Sequence, residues 1–338
     1  MAAALLDPRD GYYTRATPLG DESGRGGDFV TAPELTQVFG ELLGLWCLEA
    51  WQRLGAPPHF KLVELGPGRG SLMSDVLRSL ALIPGCRAAA EIHLVEVSPR
   101  LRAMQRDRLR GAKVTWHRGI ATLPAGFAVI LANEFLDALP IRQFEKTPQG
   151  WRERLVVRDG AGGLTFALSG TLPSGLLDAP DAATGAILEH CSAATAVAEA
   201  LAERFRGSPG AALFIDYGYA TRPWKGSLQA VAGHRKVPAL SDPGCADLSA
   251  LVDFFALGQA AERAGARVHG PVTQAALLQA LGIEERSAGL QHGKSPEVAR
   301  AIAAACRRLI APGGMGESFL AISLEAPGLE SPAGFPLA

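Results

Sequence analysis

The glycines, acids and amides best suited to hold a ligand or move a proton gather where apolar runs end. The run 60–65 passes through Glu64 into Gly66-Pro67-Gly68-Arg69-Gly70, and residues 71–80 read as the helix that follows. Glycines at 66, 68 and 70 let the backbone turn tightly and approach a ligand at the helix N-terminus. A dinucleotide loop carries glycines at its first, third and sixth positions, whereas here the third glycine is fifth and Ser71 is sixth. Glu64 suits a cationic ligand better than a phosphate. S-adenosylmethionine meets that description, since it has an amino group and a sulfonium and no phosphate. Taken alone, the loop is equally a tight turn that binds nothing.

Neighbouring runs end on polar groups of the same kind. Residues 92–97 read as a second strand that reaches Glu96 and Val97, and an acid there accepts hydrogen bonds from a ribose diol. Residues 114–117 and 127–132 read as the third and fourth strands, the fourth leading into Asn133-Glu134-Phe135-Leu136-Asp137-Ala138-Leu139-Pro140. Ligands of open α/β sheets sit outside the carboxyl ends of the strands, so Asn133, Glu134 and Asp137 should face the crevice of Gly68 and Glu96. The same residues also suit a helix start, with Asn133 as the cap and two acids in the first turn. Residues 211–215 read as a fifth strand that ends in Asp216-Tyr217-Gly218.

Holding these ends together calls for an α/β fold of Rossmann-like type, a seven-stranded and mostly parallel sheet with helices on both faces. Ser98 and Pro99 open a helix whose arginines read as a solvated face, and Thr31 with Glu34 reads as a capping box. A hairpin of 154–157 and 164–168 is expected at the sheet's edge, with helices at 194–205, 251–264 and 297–310 and the last strands at 267–269 and 318–324. The organisation expected is a helical lid segment over 1–58 and a cofactor-binding core over 59–222 and 248–326. A hairpin insertion at 150–172, a substrate-side loop at 223–247 and a disordered tail at 327–338 complete it.

The chain resembles the MidA family, which includes the mitochondrial complex I assembly methyltransferases. The stretches that carry the resemblance are Asp10-Gly-Tyr-Tyr-Thr, Gly27-Asp-Phe-Val-Thr-Ala-Pro-Glu-Leu, Glu64-Leu-Gly-Pro-Gly-Arg-Gly, Asn133-Glu-Phe-Leu-Asp-Ala-Leu-Pro, Ile215-Asp-Tyr-Gly, Gly233-His-Arg and Gly313-Gly-Met-Gly-Glu. The resemblance implies a class I S-adenosylmethionine-dependent methyltransferase with an antiparallel seventh strand. It also implies methylation of an arginine on a subunit of respiratory complex I. Only residues 1–6 precede the stretch Asp7-Pro8-Arg9-Asp10-Gly11-Tyr12-Tyr13, where family members usually carry a further helix.

Arginine is a demanding nucleophile, because its guanidinium stays protonated and must approach a sulfonium of the same sign. Carboxylates can bind the planar fork, offset the repulsion and take the departing proton. Glu134 is the first choice, with Asp137 and Asp216 beside it, and His234 and Arg235 are weighed as proton acceptor and carboxylate orienter against a plain loop role. Glu64, Gly66, Pro67, Gly68, Gly70, Glu96, Val97 and Asn133 are expected to hold the cofactor. Tyr12, Tyr13, Asp28, Phe29 and Tyr217 are expected on the lid and substrate side, since aromatic faces attract cations. Methylation of a small molecule and a chaperone role in assembly are the alternatives.

Composition restricts the classes. With 338 residues, 48% hydrophobic and 20% charged, the chain can bury a large core. Its 33 basic residues balance 34 acidic ones, which argues against a nucleic-acid partner. No apolar run reaches the roughly 18 residues of a membrane span and no secretion signal is evident, so the expected location is cytoplasmic. The five cysteines show no paired metal spacing, and no metal is expected.

Overall fold

The computed structural model describes residues 1–15, 31–170 and 181–336. Its centre is a sheet built from β1 (Phe60–Leu65), β2 (Ala90–Val95), β3 (Val114–His117), β4 (Ala128–Asn133), β5 (Gly210–Tyr219), β6 (Arg267–Thr273) and β7 (Phe319–Glu325). They run in the order β6-β7-β5-β4-β1-β2-β3. β1 to β5 pair in parallel, while β7 is antiparallel to both β5 and β6, as the resemblance implied. A short stretch, Val252–Asp253, adds to the end of β5.

The strands are apolar on both sides because both faces are covered. Leu62, Leu94, Val129 and Leu131 face one core with the helices Gln37–Arg53 and Ser71–Leu80. Val63, Leu65, Ile130 and Phe214 face the other with Ser192–Gly207 and Phe254–Arg263. The parallel strands therefore end together at one edge, which is where a ligand fits.

Several expectations change. The hairpin is part of a separate four-stranded antiparallel sheet of Arg142–Thr147, Gly150–Arg158, Leu164–Leu168 and Ile187–His190, with its own small core of Phe144, Trp151, Ala186 and Leu188. The loop expected over 223–247 contains a third sheet of Gln229–Ala232, Arg235–Val237 and Asp247–Ser249. The N-terminal helices Ala2–Leu6 and Tyr12–Arg15 lie on it, burying Leu5 and Tyr12 with Ala230 and Leu248. Beyond Ala326, where disorder was expected, Phe335 is 7% exposed beside the His269 ring, and Arg53 Nη1 donates to the Glu330 carbonyl at 3.0 Å. The described residues there form an irregular segment with turns, packed on the core. Lastly, residues 134–140 form a turn and no helix, so the capping alternative for Asn133 falls.

Ser98 does cap its helix, accepting the Leu101 N–H at 3.4 Å. The Thr31–Glu34 capping box does not form. Thr31 makes no side-chain cap bond, and the Glu34 carboxylate instead accepts the Ser71 hydroxyl at 2.6 Å, because the two helix starts meet.

Candidate active site

The carboxyl ends of β1, β2, β4 and β5 open on a cavity of about 640 Å³. β1 delivers Glu64 and the glycine loop. Glu64 is 3% exposed and accepts the backbone N–H of Met73, while its Oε2 is buried with no partner among the described residues. Burial pushes its carboxyl up to about 8, with Glu96 adding to the shift and the Met73 N–H opposing it. A neutral acid with a spare acceptor is what an arriving ammonium group would ionise. Gly66 and Gly68 take φ of +64° and +51°, and a Cβ on Gly66 would meet Phe135 Cδ2 at 2.8 Å. Pro67 lies between them on the cavity wall, and Gly70 starts the helix at φ +82°. Only glycine permits that backbone so close to the turn after β4.

β2 delivers Glu96, whose Oε1 accepts the Ser98 N–H at 2.8 Å. Burial raises its pKa against the backbone N–H groups of Ser98 and Val97. Gln105 Nε2 lies 3.5 Å from Glu96 Oε2 and donates to the Gly68 carbonyl at 2.8 Å, with Trp116 Nε1 holding its oxygen at 2.8 Å. Gln105 therefore joins the loop to the acid at the tip of β2. It was missed because it sits among arginines. Its position four residues after Leu101, on the buried face of Pro99–Arg108, is the signal that would have found it. Val97, 41% exposed, also lines the cavity.

β4 delivers Asn133 and Glu134. Glu134 has φ +50°, a left-handed conformation costly for a non-glycine residue. Its N–H donates to the Ile215 carbonyl at 2.9 Å, and its Oε1 accepts Ala32 N–H at 3.0 Å and Asn133 Nδ2 at 3.1 Å. Burial raises its pKa, opposed by those two donors. Asn133 Oδ1 is buried without a partner among the described residues. Glu64 Oε2 and Asn133 Oδ1 thus offer two unused acceptors to the donor-rich amino acid end of a cofactor, which the residues of the cavity fit.

Asp216 differs from what its place on β5 suggested. It is 1% exposed and does not line the cavity. Its Oδ2 accepts the N–H groups of Phe135, Leu136 and Asp137 at 3.1, 2.8 and 3.2 Å, and its Oδ1 accepts the Tyr217 N–H at 2.9 Å. Burial and then Glu134 push its carboxyl up to about 7. Asp216 holds the turn on which Glu134 and Asp137 stand. Asp137 lines the cavity, and burial with Asp216, Asp247 and Glu134 nearby raises its pKa well above the usual carboxylate range.

The facing wall comes from the third sheet and the N-terminal helices. Tyr13 donates its hydroxyl to Asp247 at 3.1 and 3.2 Å, and the Tyr13 carbonyl accepts the Ser98 hydroxyl at 2.8 Å. Tyr217 and Ser249 hydroxyls lie 2.8 Å apart, with Gln229 Nε2 against the Tyr217 oxygen. Tyr12, 2% exposed, belongs to the small core beneath and is no part of the wall. Asp247 was missed because its segment read as loop. His234 and Arg235, weighed for proton transfer, are exposed and outside the cavity. Gly233 and His234, at φ +56° and +60°, make the two-residue turn of a hairpin, so this signal was turn chemistry. Asp28 and Phe29 lie outside the described residues.

Residues 42–272 match the family Methyltransf_28, described as S-adenosyl-L-methionine-dependent methyltransferase. Among curated relatives, "Protein arginine methyltransferase NDUFAF7, mitochondrial" of Danio rerio is 38% identical over 94% of this chain and 80% of its own length. The protein of that name from Homo sapiens is 34% identical over 94% of this chain and 78% of its own. A crystal structure from Burkholderia thailandensis, a likely methyl transferase bound to S-adenosyl-homocysteine, superposes with a TM-score of 0.85 at 32% identity and covers 98% of this chain and 88% of that one. The relatives' names correct the cytoplasmic expectation, because they point to mitochondria. No helix among the described residues is long and apolar enough to cross a membrane, which does not tell one compartment from another.

Proposed function

The chain belongs to the S-adenosyl-L-methionine-dependent methyltransferase family that its residues 42–272 match, and from that premise we propose that it methylates an arginine guanidinium of a protein substrate, a subunit of respiratory complex I. The supporting observation is the set of carboxylates that share one cavity with the cofactor groups. Glu134 and Asp137 stand on the turn after β4 and Asp247 on a strand of the third sheet, and the raised pKa of Asp137 reflects both burial and the acids around it. Like charges packed in this way cannot all ionise without a cation among them, and a guanidinium supplies one with a planar fork of donors. Tyr13 and Tyr217 add aromatic faces that attract cations. The curated relatives named as protein arginine methyltransferases favour the same nucleophile.

Held by Glu64, Asn133, Glu96 and the glycine loop, the cofactor would supply an electrophilic methyl group, with the electron pair of the broken carbon–sulfur bond left on sulfur. Glu134 and Asp137 orient the guanidinium and accept the proton that leaves the attacking nitrogen, so that charge does not accumulate beside the sulfonium. The complex I substrate follows from the motif resemblance. Mass spectrometry of complex I subunits from cells with and without this gene tests it: an arginine methylation lost with the gene and restored by the wild type, not by Glu134→Gln, is expected. Identical methylation in both cell lines refutes the assignment.

A further inference from the structure

We infer that Asp247, held by the Tyr13 hydroxyl, joins Glu134 and Asp137 as a third carboxylate of the guanidinium clamp, so that the N-terminal helices and the inserted third sheet complete the substrate site. This rests on the arginine reading above. Asp247 lies on Asp247–Ser249, over a hundred residues from Glu134 in the chain, yet it lines the same cavity and lies near enough to Asp137 to raise that carboxyl. Tyr13 meets both of its oxygens at 3.1 and 3.2 Å, and burial raises the phenol's pKa, so the phenol remains a donor. A carboxylate held in this way has its orientation set before a ligand arrives, at little further entropy cost.

The tie to the rest of the site runs through Ser98. Its hydroxyl donates to the Tyr13 carbonyl at 2.8 Å, and its backbone N–H donates to Glu96 at 2.8 Å. One residue thus contacts the cofactor acid and the residue that steers Asp247. Ala250, just beyond the strand, donates its N–H to the Asp137 carbonyl at 3.1 Å, which fixes the spacing of the two acids. Asp247 is therefore a binding residue and Tyr13 a positioning residue that acts through it.

The test uses the full chain loaded with S-adenosylhomocysteine and titrated by NMR with N-acetyl-arginine amide, its neutral isostere N-acetyl-citrulline amide serving as the comparison. The wild type is expected to prefer the arginine probe. Asp247→Asn should lower arginine affinity by about tenfold and leave S-adenosylhomocysteine affinity unchanged. Tyr13→Phe should lower it by a few-fold, and should add nothing on top of Asp247→Asn, because it acts through that residue. A preserved preference for arginine in Asp247→Asn overturns the role of Asp247 alone. A wild type that takes both probes equally overturns the arginine reading and this inference with it. Should Asp247→Asn fail to bind S-adenosylhomocysteine, Tyr13→Phe decides: unchanged arginine affinity refutes the inference.

Discussion

Asp216 Oδ2 accepts the backbone N–H of Leu136 at 2.8 Å, and the amides on either side of it converge on the same oxygen. A buried carboxylate in the carboxyl-terminal half of β5 therefore shapes the turn after β4. This turn carries Glu134 at φ +50° into the cavity, and the strain persists because the anchor opposes it.

Removing the anchor should cost stability before it costs chemistry. Asp216→Ala leaves buried amides without acceptors, and we expect a loss of about 3 kcal/mol in urea unfolding. Asp216→Asn keeps one acceptor oxygen and should lose less. Wild-type stability for the alanine variant would refute the anchoring role.

Gly66 is packed against Phe135, and its φ of +64° is open to few other residues. Gly66→Val should weaken S-adenosylmethionine binding at least tenfold, by displacing either the loop or the turn. Isothermal calorimetry reads this directly, and affinity within twofold of wild type would contradict it.

Glu64, at about 8 in the free protein, titrates in a range that experiments reach. Its folded pKa lies above the usual carboxylate value, so its contribution to stability is complete below about 4.5 and is lost as pH rises through about 8. Asp216, at about 7, acts in the same direction. The free protein should therefore lose stability between pH 5 and 8, and Glu64→Gln should flatten part of that slope. If the cofactor's ammonium group ionises Glu64, calorimetry at pH 7 in buffers of different ionisation enthalpy should detect close to one proton released per cofactor bound. Glu64→Gln should abolish the release; equal heats in all buffers for the wild type would rule this linkage out.

Glu134→Gln keeps the size and most hydrogen bonds of the side chain and removes its charge. Cofactor affinity should stay within a few-fold, while turnover on the protein substrate falls by about a hundredfold or more. Single-turnover assays separate the two, and unimpaired transfer would remove Glu134 from the chemistry.

What the sequence determined by itself is the central sheet and its cofactor edge. Apolar runs buried on both faces have no other place to go, and the glycines of 66–70, the acid at 96 and the Asn-Glu pair at 133–134 lie at their ends because local chain geometry puts them there. Tertiary structure alone decided which acids share the cavity. Asp216 turned to backbone amides instead of ligand, Asp247 arrived from a three-residue strand, and His234 left for a hairpin tip. Each outcome depends on contacts between segments far apart in the chain. Strands of three or four residues have little periodicity of their own, and the pairing that forms them is visible only after the chain has folded.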